Sequence, residues 1–160
     1  MVPPAPDPAG YSGTPLPQKL GLKDGQRVLF ISLPKELKDL RTSRHFIEIA
    51  EAGWETFTDG AGSSLSQAAF APRRHGYDVI HGFTASRAVL EKAARPLMDE
   101  IDRNGSIWIS WPKKASKVPT DITEDVIREV ILPIGLVDVK VAAVNEIWSG
   151  LKLVIRKELR

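Results

Sequence analysis

The stretches LVDVKVAAV (residues 136–144) and GLKLVIR (residues 150–156) decide the fold of this chain. Polar and apolar side chains alternate around Asp138 and Lys140 in the first stretch and around Lys152 in the second. A period of two residues is typical of a half-buried β-strand. The few residues between the stretches are enough for a hairpin loop and too few for a crossover helix. The sequence therefore predicts two antiparallel strands here.

Upstream of this hairpin, short apolar runs alternate with segments of helical periodicity. The run RVLFIS (residues 27–32) is rich in β-branched and aromatic residues and is typical of a buried strand. The predicted strands are residues 27–32, 54–58, 77–83 and 106–111. The first predicted helix covers residues 35–52. The second covers residues 85–103, contains Pro96 and ends at Asn104-Gly105. The third begins at a capping box of Asp121 and Glu124 and ends at Pro133 and Gly135, and its apolar residues are Val126, Ile127, Val130 and Ile131.

This alternation predicts an α/β fold with a mainly parallel sheet and right-handed crossovers, to which the hairpin adds an antiparallel strand. We expect one Rossmann-like domain over residues 25–160. Residues 1–24 are rich in proline and form a predicted N-terminal arm, because proline removes backbone donors and fixes φ.

The composition excludes several classes of function. The 22 Lys and Arg residues exceed the 20 Asp and Glu residues by only two, which predicts no large nucleic-acid surface. The absence of cysteine excludes disulfides, thiolate metal sites and cysteine nucleophiles. No apolar run approaches the roughly 18 residues of a membrane span, and no signal-peptide pattern opens the sequence. We therefore expect a cytoplasmic protein with no membrane contact.

The order of elements over residues 26–157 resembles the class I S-adenosylmethionine-dependent methyltransferase fold, a Rossmann-like sheet whose last strand is inserted antiparallel. Four further stretches resemble an uncharacterised family of small bacterial proteins of unknown function. They are YSGTPL (residues 11–16), KLG (residues 19–21), WPKKASK (residues 111–117) and WSGLKLV (residues 148–154). This second resemblance implies a similar fold and no established activity.

The methyltransferase resemblance implies a glycine-rich turn after the first strand, where the backbone approaches the methionyl part of the cofactor. This chain has SLPKE (residues 32–36) there, and no glycine between Arg27 and Gly53. An acidic residue is expected at the end of the second strand, and Glu55 and Asp59 are the candidates. No G-x-G-x-x-G motif and no P-loop occur. We therefore expect no bound cofactor and no catalytic residues.

Ligands of open α/β sheets bind beyond the carboxyl ends of the strands. The candidate ligand-binding residues at that edge are Ser32, His81, Trp111, Lys113, Lys114 and Lys117. His81 is either a general base or hydrogen-bond donor, or a structural histidine bonded to the backbone. The three lysines beside Trp111 either hold a phosphate or nucleic-acid backbone, or form a solvated loop. His75, Asp78 and His81 do not predict a metal site, because Asp78 and His81 point to opposite faces of a strand.

The sequence thus predicts a non-catalytic binding or regulatory module with a small anion or a protein as its partner. The first alternative is a methyltransferase with an unusual cofactor loop. The second is weak nucleic-acid or phosphate binding through residues 113–117. A homo-oligomer stays open.

Overall fold

The computed structural model describes residues 14–59 and 76–160. Its strands are β1 (Arg27–Ile31), β2 (Glu48–Ala52), β3 (Tyr77–Phe83), β4 (Ile101–Pro112), β5 (Leu136–Ala143) and β6 (Trp148–Ile155). Its α-helices are α1 (Leu16–Lys19), α2 (Trp54–Asp59), α3 (Arg87–Glu100) and α4 (Glu124–Ile131). A 3₁₀ helix spans Lys35–Thr42, between β1 and β2.

The strands form one six-stranded sheet in the order β2-β1-β3-β4-β6-β5. β1 to β4 run parallel, whereas β6 lies antiparallel between β4 and β5. The prediction of an α/β fold with a mainly parallel sheet and a final antiparallel hairpin is therefore confirmed. The register of the β5–β6 pair shifts once, between Asp138 and Lys140.

The sheet has two faces, which we call face A and face B. Face A carries Leu29, Ile80 and Ile107 and packs against α2, α3 and α4 in one apolar cluster. Face B carries Val28, Val79 and Trp108 and packs against the 3₁₀ helix and the segment 16–22. That segment belongs to the predicted arm, yet Leu20 and Leu22 are buried, and the Trp108 indole N–H donates to the Leu20 carbonyl at 3.0 Å.

The prediction of one helix over residues 35–52 is wrong. Leu37 and Leu40 supply its helical pattern and are buried by the 3₁₀ helix, but residues 48–52 form β2 and pair in parallel with β1. The predicted strand at residues 54–58 is instead α2. The pattern WETFT fits both periods, and a helix brings Trp54 and Phe57 together, with their ring centroids 6.3 Å apart.

The long helix α3 ends at Glu100, earlier than predicted, and β4 begins at Ile101. Asn104 and Gly105 therefore lie inside β4 and do not end the helix. Gly105 is required there by close packing, because a Cβ would lie 2.8 Å from the carbonyl oxygen of Tyr77.

The capping of α4 also differs from the prediction. The hydroxyl of Thr123 accepts the N–H of Val126 and caps α4, and no bond of the Asp121–Glu124 box is formed. Asp121 instead accepts the N–H of Arg87 at 2.7 Å, at the start of α3. The helix itself is confirmed, but it ends at Ile131. Pro133 lies in a short 3₁₀ helix, Leu132–Ile134, and Gly135 ends that turn with φ 116°. Within the described ranges, no helix has the length and apolar character needed to cross a bilayer.

Candidate binding site at the carboxyl edge

The carboxyl ends of β1, β2, β3 and β4 lie on one edge of the sheet, which we call the carboxyl edge. The turn between β5 and β6 reaches the same edge, because Trp148 pairs with Pro112 at the end of β4. In open α/β sheets this edge is where ligands bind. The candidate site is therefore assembled from the loops that follow these strands and from the β5–β6 turn.

The loop after β1 is closed by its own residues. Ser32 has φ 56°, which is uncommon for a residue other than glycine, and its N–H donates to the Ala52 carbonyl at 2.8 Å. Leu33 is only 8% exposed and packs into the apolar cluster of face B with Leu37. The turn thus uses a backbone amide to join β1 to β2 and places the Leu33 side chain in the apolar cluster of face B.

Trp54 closes the edge between β2 and β3. Its indole N–H donates to the Phe83 carbonyl at 2.7 Å, so it caps the last residue of β3. Its ring lies on Gly82, where an added Cβ would collide with it. The sequence analysis missed this role of Trp54. The signal that could have found it is the glycine inside a β-strand, which marks a close approach.

The acidic residue near the end of β2 is Glu51. One of its carboxylate oxygens accepts a hydrogen bond from Lys38 and the other accepts one from Arg41, each at 2.8 Å. The hydrogen bond from Lys38 is the main reason that the pKa of Glu51 is lowered. The expected candidates Glu55 and Asp59 lie instead on α2, where both are exposed.

His81 lies in the middle of face B and is 1% exposed. Its Nε2 is 2.7 Å from the Ser110 hydroxyl, and its ring stacks on Phe83 at 4.2 Å. Burial lowers the pKa of His81 to about 3, so the imidazole is neutral at neutral pH. This pair satisfies a buried polar ring with a side chain, whereas the structural alternative of the sequence analysis expected a backbone partner.

The six candidate residues do not converge. Trp111 is 8% exposed and packs into the cluster of face A, while Ser32 is exposed at the end of β1. Lys113 is half-buried and its N–H donates to the Ile147 carbonyl at 2.6 Å. Lys114 and Lys117 are exposed, and Lys117 has φ 62°. Ligand contact by these residues stays a prediction.

Metal ligation has no support in the part of the chain that the structure describes, where no group of three His, Asp or Glu residues could hold an ion. Asp78 accepts the N–H of Arg27 at 2.8 Å and is thereby engaged. His75 lies outside the described residues.

A cleft of about 500 Å³ opens at the carboxyl edge. Its lining comes from the start of the 3₁₀ helix and from the β5–β6 turn, and consists of Glu36, Leu37, Asn145, Glu146 and Ile147. The Asn145 side chain accepts the N–H groups of Ile147 and Trp148 at 2.9 and 2.8 Å, which fixes the turn. The sequence analysis assigned none of these residues to a binding site, because about a hundred residues separate the two sides of the cleft.

The electrostatics of the cleft follow from two exposed carboxylates, those of Glu36 and Glu146. These two negative charges repel an anion and attract a cation in a partly closed space. The cleft therefore suits a neutral or cationic group better than an anion.

Solved structures similar to this chain include S-adenosylmethionine-dependent methyltransferases. An enzyme from Aquifex aeolicus is 16% identical, covers 86% of each chain and has a TM-score of 0.61. This chain has the class I methyltransferase fold. The N-methyltransferase NodS from Bradyrhizobium japonicum WM9 is 11% identical over 92% of this chain and 100% of its own, with a TM-score of 0.54. A methyltransferase from Clostridium acetobutylicum is 10% identical over 84% of each chain, with a TM-score of 0.53.

At these identities the likeness shows the fold alone. No protein-family model matches the chain, so the resemblance to a bacterial family of unknown function stays a prediction. No curated protein matches it either.

Proposed function

We propose that this domain is a non-catalytic binding module with a methyltransferase fold, in which protein side chains occupy the place of the cofactor. The single observation that supports this most is the buried Leu33 in the turn after β1. A methyltransferase needs a side-chain-free turn there, because the backbone must approach the methionyl part of the cofactor.

Two other contacts support the proposal. The carboxylate of Glu51 accepts one hydrogen bond from Lys38 and one from Arg41, so ribose hydroxyls would compete with two ion pairs for its oxygens. The indole of Trp54 already caps the end of β3. A cofactor at this edge would have to break these contacts, and each buried group that it left unpaired would cost binding free energy.

The ligand of the module binds, in this proposal, in the cleft between Glu36 and Glu146. Its volume lies within the range of small-molecule sites. The two carboxylates favour a neutral or cationic group, from a small molecule or from a basic side chain of a protein partner. Cationic fragments should therefore perturb the amide resonances of residues 145–147 more than anionic fragments of equal size, and Glu146→Gln should reduce that difference.

The test is thermal unfolding with S-adenosylmethionine and S-adenosylhomocysteine. A ligand at one hundred times its Kd adds about 2.7 kcal/mol of stability. We expect no shift for the wild-type protein with either compound. A saturable shift with S-adenosylhomocysteine would overturn the proposal.

Leu33→Gly sharpens this test, because it removes the side chain that fills the turn. A shift seen only in this variant would support Leu33 as the obstacle. Leu16→Gly is the matched control, since it makes the same change in the same apolar cluster away from the turn.

A second candidate function is methyl transfer with an unusual cofactor loop. It is favoured by the fold, which matches the Aquifex enzyme over 86% of both chains. This candidate requires the wild-type shift with S-adenosylhomocysteine that the first one forbids, so one experiment separates the two.

A further inference from the structure

Two lysines face each other on the sheet. Lys140 of β5 pairs directly with Lys152 of β6, and both side chains lie on face B beside Trp108. Like charges directly opposite each other destabilise an antiparallel pair. The pair has no carboxylate partner within residues 14–59 and 76–160, and Asp138 is bonded to Arg128 instead. The sheet thus holds two positive charges together, and no carboxylate of the described residues forms an ion pair with either of them.

The surroundings of this pair add to the positive charge. The pKa of Lys152 is lowered by burial and, to a smaller extent, by the charges of Lys140 and Lys23. Lys140 also lies over the Trp108 ring, with Nζ 5.9 Å from its centroid. Two lysines, Lys140 and Lys23, are therefore close enough to Lys152 to disfavour its charged form.

A small pocket continues the same surface along β6. It has a volume of about 110 Å³, and its lining is Arg103, Asn104, Gly105, Val154 and Arg160. Val154 is two residues from Lys152 on one strand, so both lie on face B about 7 Å apart. Guanidinium groups bind the oxygens of phosphoryl groups with paired hydrogen bonds.

The carboxylates directly adjacent in sequence to Arg103 and Lys23 are engaged by backbone groups. Asp102 accepts the N–H of Asn104 at 3.0 Å, and Asp24 accepts the N–H of His45 at 2.8 Å. This surface lies away from the acidic cleft, which is at the opposite end of β6, beside Trp148.

We propose that Lys23, Lys140, Lys152, Arg103 and Arg160, the basic strip, form a binding site for a phosphoryl-containing anion. The pocket holds one phosphoryl group between its arginines, and the lysines hold the next anionic group along β6. The anion offsets the repulsion between Lys140 and Lys152, which explains why the chain keeps both. This site is separate from the cleft of the proposed function and stands without it.

The test is titration calorimetry at low salt with inorganic phosphate, tripolyphosphate and a 12-nucleotide single-stranded DNA. We expect saturable binding of tripolyphosphate. The double variant Lys140→Gln/Lys152→Gln should weaken it about tenfold or more, because two charge-assisted contacts are lost. Arg103→Gln should also weaken the binding of inorganic phosphate.

The matched control is Lys35→Gln/Lys92→Gln, which removes the same two charges from exposed positions outside the basic strip. We expect it to change the affinity less than about twofold, since a change in net charge alone acts weakly through solvent. Equal weakening by both double variants would overturn the proposal, as would no saturable binding of any probe.

A further readout excludes a merely structural effect. Lys140→Gln/Lys152→Gln should raise the melting temperature of the ligand-free protein while it weakens anion binding, because it relieves the repulsion. A lower melting temperature would contradict the account of the pair. Comparison of tripolyphosphate with the oligonucleotide, at equal phosphate concentration, identifies which source of phosphoryl groups the strip prefers.

Discussion

The two halves of the sheet treat their polar groups in opposite ways. Around β1, β2 and β3, the chain satisfies its own groups: Ser32 donates to Ala52, Trp54 donates to Phe83, and His81 pairs with Ser110. Around β5 and β6, two lysines face each other without an ion-pair partner among the described residues, and a cleft opens between two carboxylates. The half around β1, β2 and β3, which we call the closed half, has the satisfied polar groups of a protein core. The half around β5 and β6, which we call the open half, has the character of a binding surface.

The largest expected effect on stability comes from removing the Trp54 side chain from the closed half. Trp54→Ala removes a half-buried indole and the cap on Phe83, and should lower the free energy of unfolding by about 2–3 kcal/mol. Chemical denaturation measures this loss of stability.

Gly82→Ala should cost about 1–3 kcal/mol in the wild-type protein, because its Cβ collides with the indole of Trp54, and much less in the Trp54→Ala background. Equal costs in both backgrounds would contradict this packing.

The second effect is a pH dependence set in the same half. The pKa of His81 is lowered from 6.5 to about 3 in the folded protein, so below pH 6.5 only the unfolded chain takes up this proton. Stability should therefore fall by about 1 kcal/mol for each pH unit between pH 6.5 and 4.5. The slope should be lost in His81→Phe/Ser110→Ala, which replaces both partners by apolar groups. His45→Gln, the same kind of change at an exposed histidine, should keep it; an unchanged slope in the double variant would refute the assignment.

The comparison also explains what the sequence could predict. Hairpin strands and α4 were predictable because each carries one clear period over its whole length. β2 and α2 were not, since EIAEA has no distinct period and WETFT fits two of them. The missing glycine after β1 was readable from residues 32–36. That Leu33 turns inward, and that Trp54 reaches β3, depends on packing between distant segments, which local patterns do not contain.

A third and smaller effect concerns the loop that carries Lys114 and Lys117. Its end is tied to α3 by Asp121, which accepts the N–H of Arg87, and by Thr120, which donates to the Ala85 carbonyl. Asp121→Ala should cost about 1 kcal/mol in denaturation experiments, as the loss of a helix cap does. Thr56→Ala, at an exposed helical position, should change stability by less than about 0.5 kcal/mol. If Asp121→Ala left the free energy of unfolding unchanged, the bond to Arg87 would not stabilise the loop, and the loop would have to be grouped with the open half.

The smallest effect has the opposite sign and marks the open half. Lys140→Gln alone should raise the free energy of unfolding by about 0.2–1 kcal/mol, because it removes a like-charge pair across β5 and β6. The increase should shrink at high salt, which screens the repulsion. Lys114→Gln is the control, and an equal gain there would show a general effect of net charge.

The central claim is that protein side chains close the cofactor place at the carboxyl edge. Its most direct test is the indole N–H resonance of Trp54, recorded while S-adenosylhomocysteine is added to the wild-type protein. We predict that this resonance and the amide resonances of Ser32, Leu33, Lys35 and Glu36 do not move and that the Trp54 N–H stays protected from exchange. A saturable shift of these signals would contradict the account and would make the chain a cofactor-binding methyltransferase.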